Sequence, residues 1–531
     1  MSDDEIWGRP TDQQAGWGNP QGEVLASPTP AGSWPGQDGA APGSVLPAVP
    51  GSGRQAQRGR HGILVGVVVL VMSTVTAGAG LAYVALGGGG DQPERHVPGN
   101  AMMFAKIDLD PDVSQKVNAI RFLIRLPKVK DQVDEKTDLR QWAFEQLTKG
   151  SDTKVTWDQV GSWLGDRAGF ALLPGASGGD PRPVLVVQVK DEKKAQASLA
   201  ELPDDSGGVV KDGWATIAQD AATARSASAA AAAAPLSDSE EFSADLDAFG
   251  QDGIATLWLD SKRLGSAIKD FGGALGAGTA GLDQLSSSTA HGVMALRFDG
   301  PRLELAGRFA GVSSTKGLVT GESGISTLPA DTLVAAGVSG VGKRVTEVWD
   351  QQLQAAADQA GGSPEELVAQ AEGASGLQLP EDLVALLGDR LALAVGGPDP
   401  DGNPTFGIRG HGTDADQALN RLVDTLDQQG LPVEKRTADG GDWVLASTTA
   451  QAEALAAKGT LGQSKRFTAV VPLNDGVQPL VFADLAGIAS AYGKERIGSE
   501  DVDLLNALGA AGVSTSFTDI SVSFVVRVGQ P

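Results

Sequence analysis

Trp163-Leu164-Gly165-Asp166-Arg167, followed by Ala168-Gly169-Phe170-Ala171-Leu172, returns as Leu386-Leu387-Gly388-Asp389-Arg390, followed by Leu391-Ala392-Leu393-Ala394-Val395. The likeness extends in both directions. Upstream, Val97-Pro98-Gly99-Asn100-Ala101-Met102-Met103-Phe104 is matched in type by Leu328-Pro329-Ala330-Asp331-Thr332-Leu333-Val334-Ala335. Downstream, Asp212-Gly213-Trp214 matches Gly441-Asp442-Trp443, and Ser239-Glu240-Glu241-Phe242 matches Ser464-Lys465-Arg466-Phe467. The spacings, 223 residues for Gly165 to Gly388, 229 for the Trp pair and 225 for the Phe pair, drift only as loop insertions would make them. The expectation is two tandem copies, 97–311 and 325–531.

Each copy reads as the same string of elements. In the first, a strand (101–108) precedes amphipathic helices (111–126 and 139–148), with Pro111 suited to a first helical position. Apolar runs 168–173 and 183–189, joined by a Gly/Pro loop, read as a hairpin. A helix (191–202), two short strands around Lys211-Asp212-Gly213 and an Ala-rich helix (218–234) follow. A strand (254–259), a helix and a hairpin turning at Asp299-Gly300-Pro301 close the copy. Frequent tight turns between strands predict the α+β class, a largely antiparallel sheet with helices on one face.

Residues 63–86 are 24 consecutive residues without a charge. As a helix they reach roughly 36 Å, enough for a hydrocarbon core of roughly 30 Å. Arg54, Arg58 and Arg60 precede the run, whereas Asp91 and Glu94 follow it. The positive flank predicts a single-pass signal anchor (61–87) in the plasma membrane, with the N-terminus cytoplasmic and the C-terminal domain extracytoplasmic. Gly62 and Gly66, with Ser73, Ala77, Gly78 and Gly80, form a small-residue stripe that suits pairing of two anchors in a homodimer.

Residues 1–60 hold eight prolines and eleven glycines without a period, the composition of a disordered cytoplasmic tail. Trp7, Trp17 and Trp34 are its only aromatic residues. A linker (88–96), begun by Gly87–Gly90, leads to the ectodomain. Over its 531 residues the chain carries 42 Lys and Arg against 66 Asp and Glu, a formal charge of −24. An acidic chain repels phosphate backbones, so no nucleic-acid partner is expected. Cysteine is absent and histidine occurs four times, which removes disulfide frameworks, thiolate metal sites and cysteine nucleophiles.

The N-terminal anchor, the Pro/Gly-rich tail and the repeated Leu-Gly-Asp-Arg and Trp motifs resemble actinobacterial membrane proteins carrying domain of unknown function 3352. The likeness covers roughly residues 93–531. It implies a topology and a fold, and no activity.

Candidate chemical motifs fail on context. Gly337-Val338-Ser339-Gly340-Val341-Gly342-Lys343 fills seven positions of a phosphate-binding loop, but Arg344 stands where the magnesium-binding hydroxyl belongs. Gly276–Gly281 fits a dinucleotide glycine pattern preceded by a helix, not a strand. Gly175–Gly179 fits a nucleophile elbow, but Asp180-Pro181 forbids the helix that must follow. Asp166, Arg167, Asp389 and Arg390 are read as a helix ending at Gly and turning into a strand. His291 and His411 fall at unrelated places in the two copies, and His411, between Gly410 and Gly412, reads as surface loop. No catalytic, cofactor-binding or metal-ligating residue is therefore assigned, and no enzyme activity is expected. Three functional readings remain: a module that binds or scaffolds an envelope protein, glycan or lipid; a membrane-tethered carrier of a lipid or other apolar ligand; and an extracytoplasmic hydrolase. Only the anchor's contact with membrane lipid is common to all three.

Overall fold

The computed structural model describes residues 91–108, 113–127, 140, 141, 144, 155–175, 180–202, 206–250, 253–265, 289–312, 321–412, 414–474 and 476–531. The expected tail (1–60) and anchor (61–87) lie outside them. Among the described residues no helix is long and apolar enough to cross a membrane.

The first half supplies β1 (Met103–Asp108), β2 (Leu164–Leu173), β3 (Arg182–Val189), β4 (Gly207–Lys211), β5 (Trp214–Ala218), β6 (Ala255–Asp260), β7 (His291–Asp299) and β8 (Arg302–Ala310). The second supplies β9 (Val334–Ser339), β10 (Arg390–Pro398), β11 (Pro404–His411), β12 (Glu434–Thr437), β13 (Asp442–Ala446), β14 (Gln478–Ala483), β15 (Ala510–Thr518) and β16 (Ser521–Gly529). The helices that cover them include α1 (Val113–Leu123), α2 (Ala221–Ala233), α3 (Glu240–Phe249), α4 (Val341–Ala360), α5 (Glu381–Leu387), α6 (Ala415–Gln428), α7 (Thr449–Ala456) and α8 (Lys465–Val470).

The chain is α+β, and its sixteen described strands form one antiparallel sheet in place of the two expected. Their order is β12-β13-β11-β10-β9-β14-β15-β16-β8-β7-β6-β1-β2-β3-β5-β4. Read inward from either edge, the strands of each half follow one order by their rank in that half: fourth, fifth, third, second, first, sixth, seventh, eighth. The halves meet where β8 pairs with β16 from Arg302↔Gly529 to Ala310↔Ser521. Local chemistry sets several joints. Asp212 (φ 52°) and Gly213 (φ 76°) turn β4 into β5, two positive-φ residues whose twist matches that of the strands they join. Asp220 caps α2 by accepting from the Thr223 amide.

Both faces of the sheet are covered, a correction to the one-sided expectation. Phe104, Val184, Val186, Trp258 and Val293 lie on one face with Ala224 and Ala227 of α2 and Phe242 of α3. Met103, Ala105, Phe170, Leu172 and Leu257 lie on the other with Phe122 and Leu123 of α1. Strands buried on both sides read as near-continuous apolar runs, as β1 does from Met103 to Ala105 before buried Lys106 interrupts it. In the second half Ala335, Ala394, Val444 and Phe482 share a core with Leu455 of α7 and Phe467 of α8. Opposite them, Trp443 and Leu445 pack with Leu386 of α5 and Leu419 of α6.

Equivalent contacts recur. The Leu236 amide donates to the Val97 carbonyl at 2.7 Å, as Leu461 does to Leu328 at 3.0 Å. Asp260 donates to Met102 as Asp484 does to Leu333. Phe242 meets Trp258 with ring centroids 5.5 Å apart, and Phe467 meets Phe482 at 5.1 Å. One match read from sequence does not hold. Trp214 lies opposite Gln188, but Trp443 lies opposite Gly410, the counterpart of Val187 in the neighbouring ladder. A slip of one residue reverses the face a side chain uses. Trp214 accordingly joins the core of Phe104, whereas Trp443 joins the core on the opposite side.

Residues 91–96, assigned to the linker, belong to the fold. Pro93–His96 form a 3-10 turn in which Glu94 ion-pairs with buried Lys106 at 2.9 Å. His96 stacks on Trp214, whose indole donates to Asp91.

Candidate functional site

Alternation along β8 puts Glu304, Ala306 and Arg308 on one face of the sheet. The register carries that face across the seam: Arg527 lies opposite Glu304, Val525 opposite Ala306 and Ser523 opposite Arg308. Beyond them, Arg297 of β7 flanks Glu304, and Ser514 and Ser516 of β15 flank Val525 and Ser523. Helix α3 rests on β7 and β8, and α8 on β15 and β16. Between the end of α3 (Ala248, Phe249) and the segment after α8 (Pro472, Asn474, Val477) they leave a cleft of about 290 Å³.

The floor of this cleft is charged. Glu304 is 0% exposed. Arg297 Nε and Arg527 Nε each reach its carboxylate at 2.6 Å, one from either half of the chain, and Arg527 also lies 3.3 Å from Asp299. Two guanidinium groups on one carboxylate supply the partners that make burial of its charge tolerable. Across the seam the pattern breaks. Counted from the turns that precede β8 and β16, Ser523 stands in β16 where Glu304 stands in β8, and Arg308 stands in β8 where Arg527 stands in β16. Half-buried Arg308 has no ion-pair or hydrogen-bond partner among the described residues. Ser514, 1% exposed, lines the same cleft, and its hydroxyl has no hydrogen-bond partner among the described residues. Among the described residues that line the cleft, three arginines meet one glutamate, with Asp299 beside Arg527. In a chain of net charge −24, the site concentrates positive potential between low-dielectric walls.

Two other charged clusters are saturated. Buried Asp442, at the start of β13, receives Arg409 Nε at 2.7 Å and Arg390 at 2.7 Å, and His411 Nδ1 lies 2.8 Å away. Burial works against its ionisation, but hydrogen bonds from Arg409 and His411 and the charges of Arg390 and Arg409 prevail. The carboxyl is held below its usual range. Asp245 receives Trp258 Nε1 at 2.8 Å and lies 2.9 Å from His291 Nδ1. That is the orienting half of a catalytic dyad, but among the described residues no hydroxyl is hydrogen-bonded to the other ring nitrogen. An open groove of about 640 Å³ runs past Pro98, Met102, Pro174, Ala230 and Ala234. Its one charged residue among those described, Arg263, is already bound to Glu241, Asp260 and the carbonyls of Gly99 and Ala101.

The motifs singled out in the sequence disperse. Gly337, Val338 and Ser339 are strand residues of β9, and α4 begins at Val341, so no phosphate-binding loop exists there. A Cβ at Gly337 would stand 2.7 Å from Ile325. Gly276–Gly281 lies outside the described residues, as does most of Gly175–Gly179. Gly388 ends α5 ahead of β10, as read. Gly165 instead lies inside β2, because the helix before it stops at Val160. Each following arginine turns inward onto a carboxylate from another strand: Arg167 onto Asp108 at 2.9 Å, Arg390 onto Asp442. Asp166 pairs with Lys190, and Asp389 is exposed. His411 is the last residue of β11 and not a loop residue. Among the described residues no group of side chains has the make-up of a metal site.

No protein-family model matches the chain, and neither the curated proteins nor the solved structures contain a match. Geometry therefore carries the functional reading.

Proposed function

We propose that this chain is a single-pass membrane protein with a cytoplasmic N-terminus, whose extracytoplasmic module is two tandem copies of one α+β unit. The module binds or scaffolds an envelope component instead of catalysing a reaction. The observation that carries this reading is the seam cleft. Both halves build it, and it holds a cation, Arg308, and a buried hydroxyl, Ser514, that have no partner among the described residues. The tandem relation draws support from the strand order and the paired contacts of Val97 and Leu328. The membrane reading rests on residues 63–86 and the arginines before them, and the resemblance to the domain of unknown function 3352 family points the same way. A second reading, a tethered carrier of an apolar ligand, is favoured by the groove past Pro98 and Met102.

The absence of cysteine makes the topology simple to test. Ser27→Cys and Leu431→Cys, the latter at a side chain 57% exposed, are treated with an impermeant maleimide. Labelling of position 431 in intact cells, with position 27 labelled only after lysis, is the expected result; the reverse pattern overturns the topology. A photocrosslinking residue at Asn474, on the rim of the cleft, is expected to capture a reproducible partner that the same residue at Leu431 does not.

A further inference from the structure

We propose that the occupant of the seam cleft presents a phosphoryl oxyanion, held between the guanidinium of Arg308 and the hydroxyl of Ser514. This inference rests on the reading of the cleft as a binding site and names the chemistry of its ligand.

The asymmetry of the seam is the starting point. Two antiparallel strands related by a local two-fold axis present equivalent positions twice, so the Glu304–Arg527 pair has a mate in Ser523–Arg308. One pair is complete: a carboxylate with no exposed surface receives two guanidinium groups. In the other the acid is replaced by a serine, and the arginine faces a cavity. A half-buried guanidinium without a counter-ion leaves part of its desolvation uncompensated. Ser514 adds a second unmet demand on the same face, a hydroxyl at a position 1% exposed. Two strand spacings of about 4.8 Å separate β8 from β15, a gap that an arginine side chain and a bound anion span together.

The donors define the class of ligand. A guanidinium fork binds two oxygens of one anion in a plane. Ser514, Ser516 and Ser523 add hydroxyl donors along the floor, and Asn474 adds an amide at the rim. A tetrahedral group with several charged oxygens uses donors that converge from different directions; a halide cannot. The cavity, about 290 Å³, leaves room for a substituent beside Phe249, Pro472 and Val477. The phosphoryl group therefore belongs either to a lipid headgroup or to a soluble phosphate.

The test is calorimetric titration of the full chain in neutral detergent with two probes, inorganic phosphate and dihexanoylphosphatidylglycerol, against chloride at matched ionic strength. Saturable binding of at least one probe is expected. Phosphate binding without lipid binding marks a soluble source, and the converse marks a headgroup. Arg308→Ala is expected to weaken binding by about tenfold or more. Ser523→Glu rebuilds the missing half of the symmetric pair, neutralises Arg308 from within, and keeps the sheet intact. It is expected to abolish binding while the melting temperature stays level or rises. Failure of both probes to bind, or equal binding to wild type and Ser523→Glu, overturns the inference. The binding reading itself survives that failure if Asn474 still captures its partner in the Ser523→Glu chain.

Discussion

Arg527 of β16 places its Nε 2.6 Å from the carboxylate of Glu304 in β8, although 223 residues separate the two in sequence. The contact crosses the ladder that joins the halves of the sheet. Arg297 approaches the same carboxylate from β7, so one buried acid ties three strands together. Its geometry is that of a lock: directional, shielded from water, and dependent on all its members. Farther along the same ladder Arg308, opposite Ser523, has no acid beside it among the described residues and opens to the cleft. Structure and the proposed function thus meet in one ladder, where Arg527 has an acid opposite it and Arg308 a serine.

Glu304→Gln removes the charge, strips Arg297 of its ion-pair partner and leaves Arg527 with Asp299 alone, at 3.3 Å; both arginines are under 20% exposed. The expected loss of stability is about 3–5 kcal/mol, read as a lower urea midpoint. A loss below about 1 kcal/mol would show that water reaches the triad and screens it.

Asp442 sets part of the acid response. Its carboxyl is held below the usual range, so the folded state stays ionised where the unfolded chain, with an ordinary value of about 3.9, takes up a proton. The stabilisation is complete above that unfolded value and is lost as the pH falls through the lower, folded one. Asp442→Asn should therefore cost about 1–3 kcal/mol at neutral pH. The gap between variant and wild type should close as denaturation is repeated below about pH 4. A gap that stays constant on acidification contradicts this account.

Much of the fold was legible in the sequence, and the reason is local. The β4–β5 hairpin announces itself at Asp212-Gly213, the β7–β8 hairpin at Gly300, and α2 in its alanine run. The seam was not legible, because β8 and β16 carry no local signal of their pairing. In Arg302-Leu303-Glu304-Leu305 the glutamate sits on the polar side of an alternating strand, which reads as solvent-facing. It is buried because α3, remote in sequence, covers that side. The same ambiguity concealed Arg308 and Ser514. Trp214 and Trp443 misled for a different reason: a shared Trp hides a register slip of one residue that only the neighbouring strand reveals.

Gly410→Ala examines that slip. A Cβ there would lie 2.3 Å from Cζ2 of Trp443, and the indole cannot move without disturbing Leu386 and Leu419. A cost of about 1–3 kcal/mol is expected. The same substitution would be nearly neutral if Trp443 faced the side that Trp214 uses.

Lys343 is an exposed residue of α4 and not part of a phosphate-binding loop. Lys343→Ala is expected to shift stability by no more than about 0.5 kcal/mol. Magnesium ATP should leave the melting temperature of wild type unchanged. A clear rise with nucleotide, lost in the variant, would restore the loop that the strand assignment removes.

The most direct test of the central claim, that the seam cleft is the binding site, is native mass spectrometry of the full chain extracted in parallel as wild type and Ser523→Glu from the cells that make it. A reproducible non-covalent adduct is expected on wild type and absent from the variant, whose melting temperature is preserved. An adduct of the same mass and occupancy on both chains would contradict the claim and move the binding site to the groove past Pro98 and Met102.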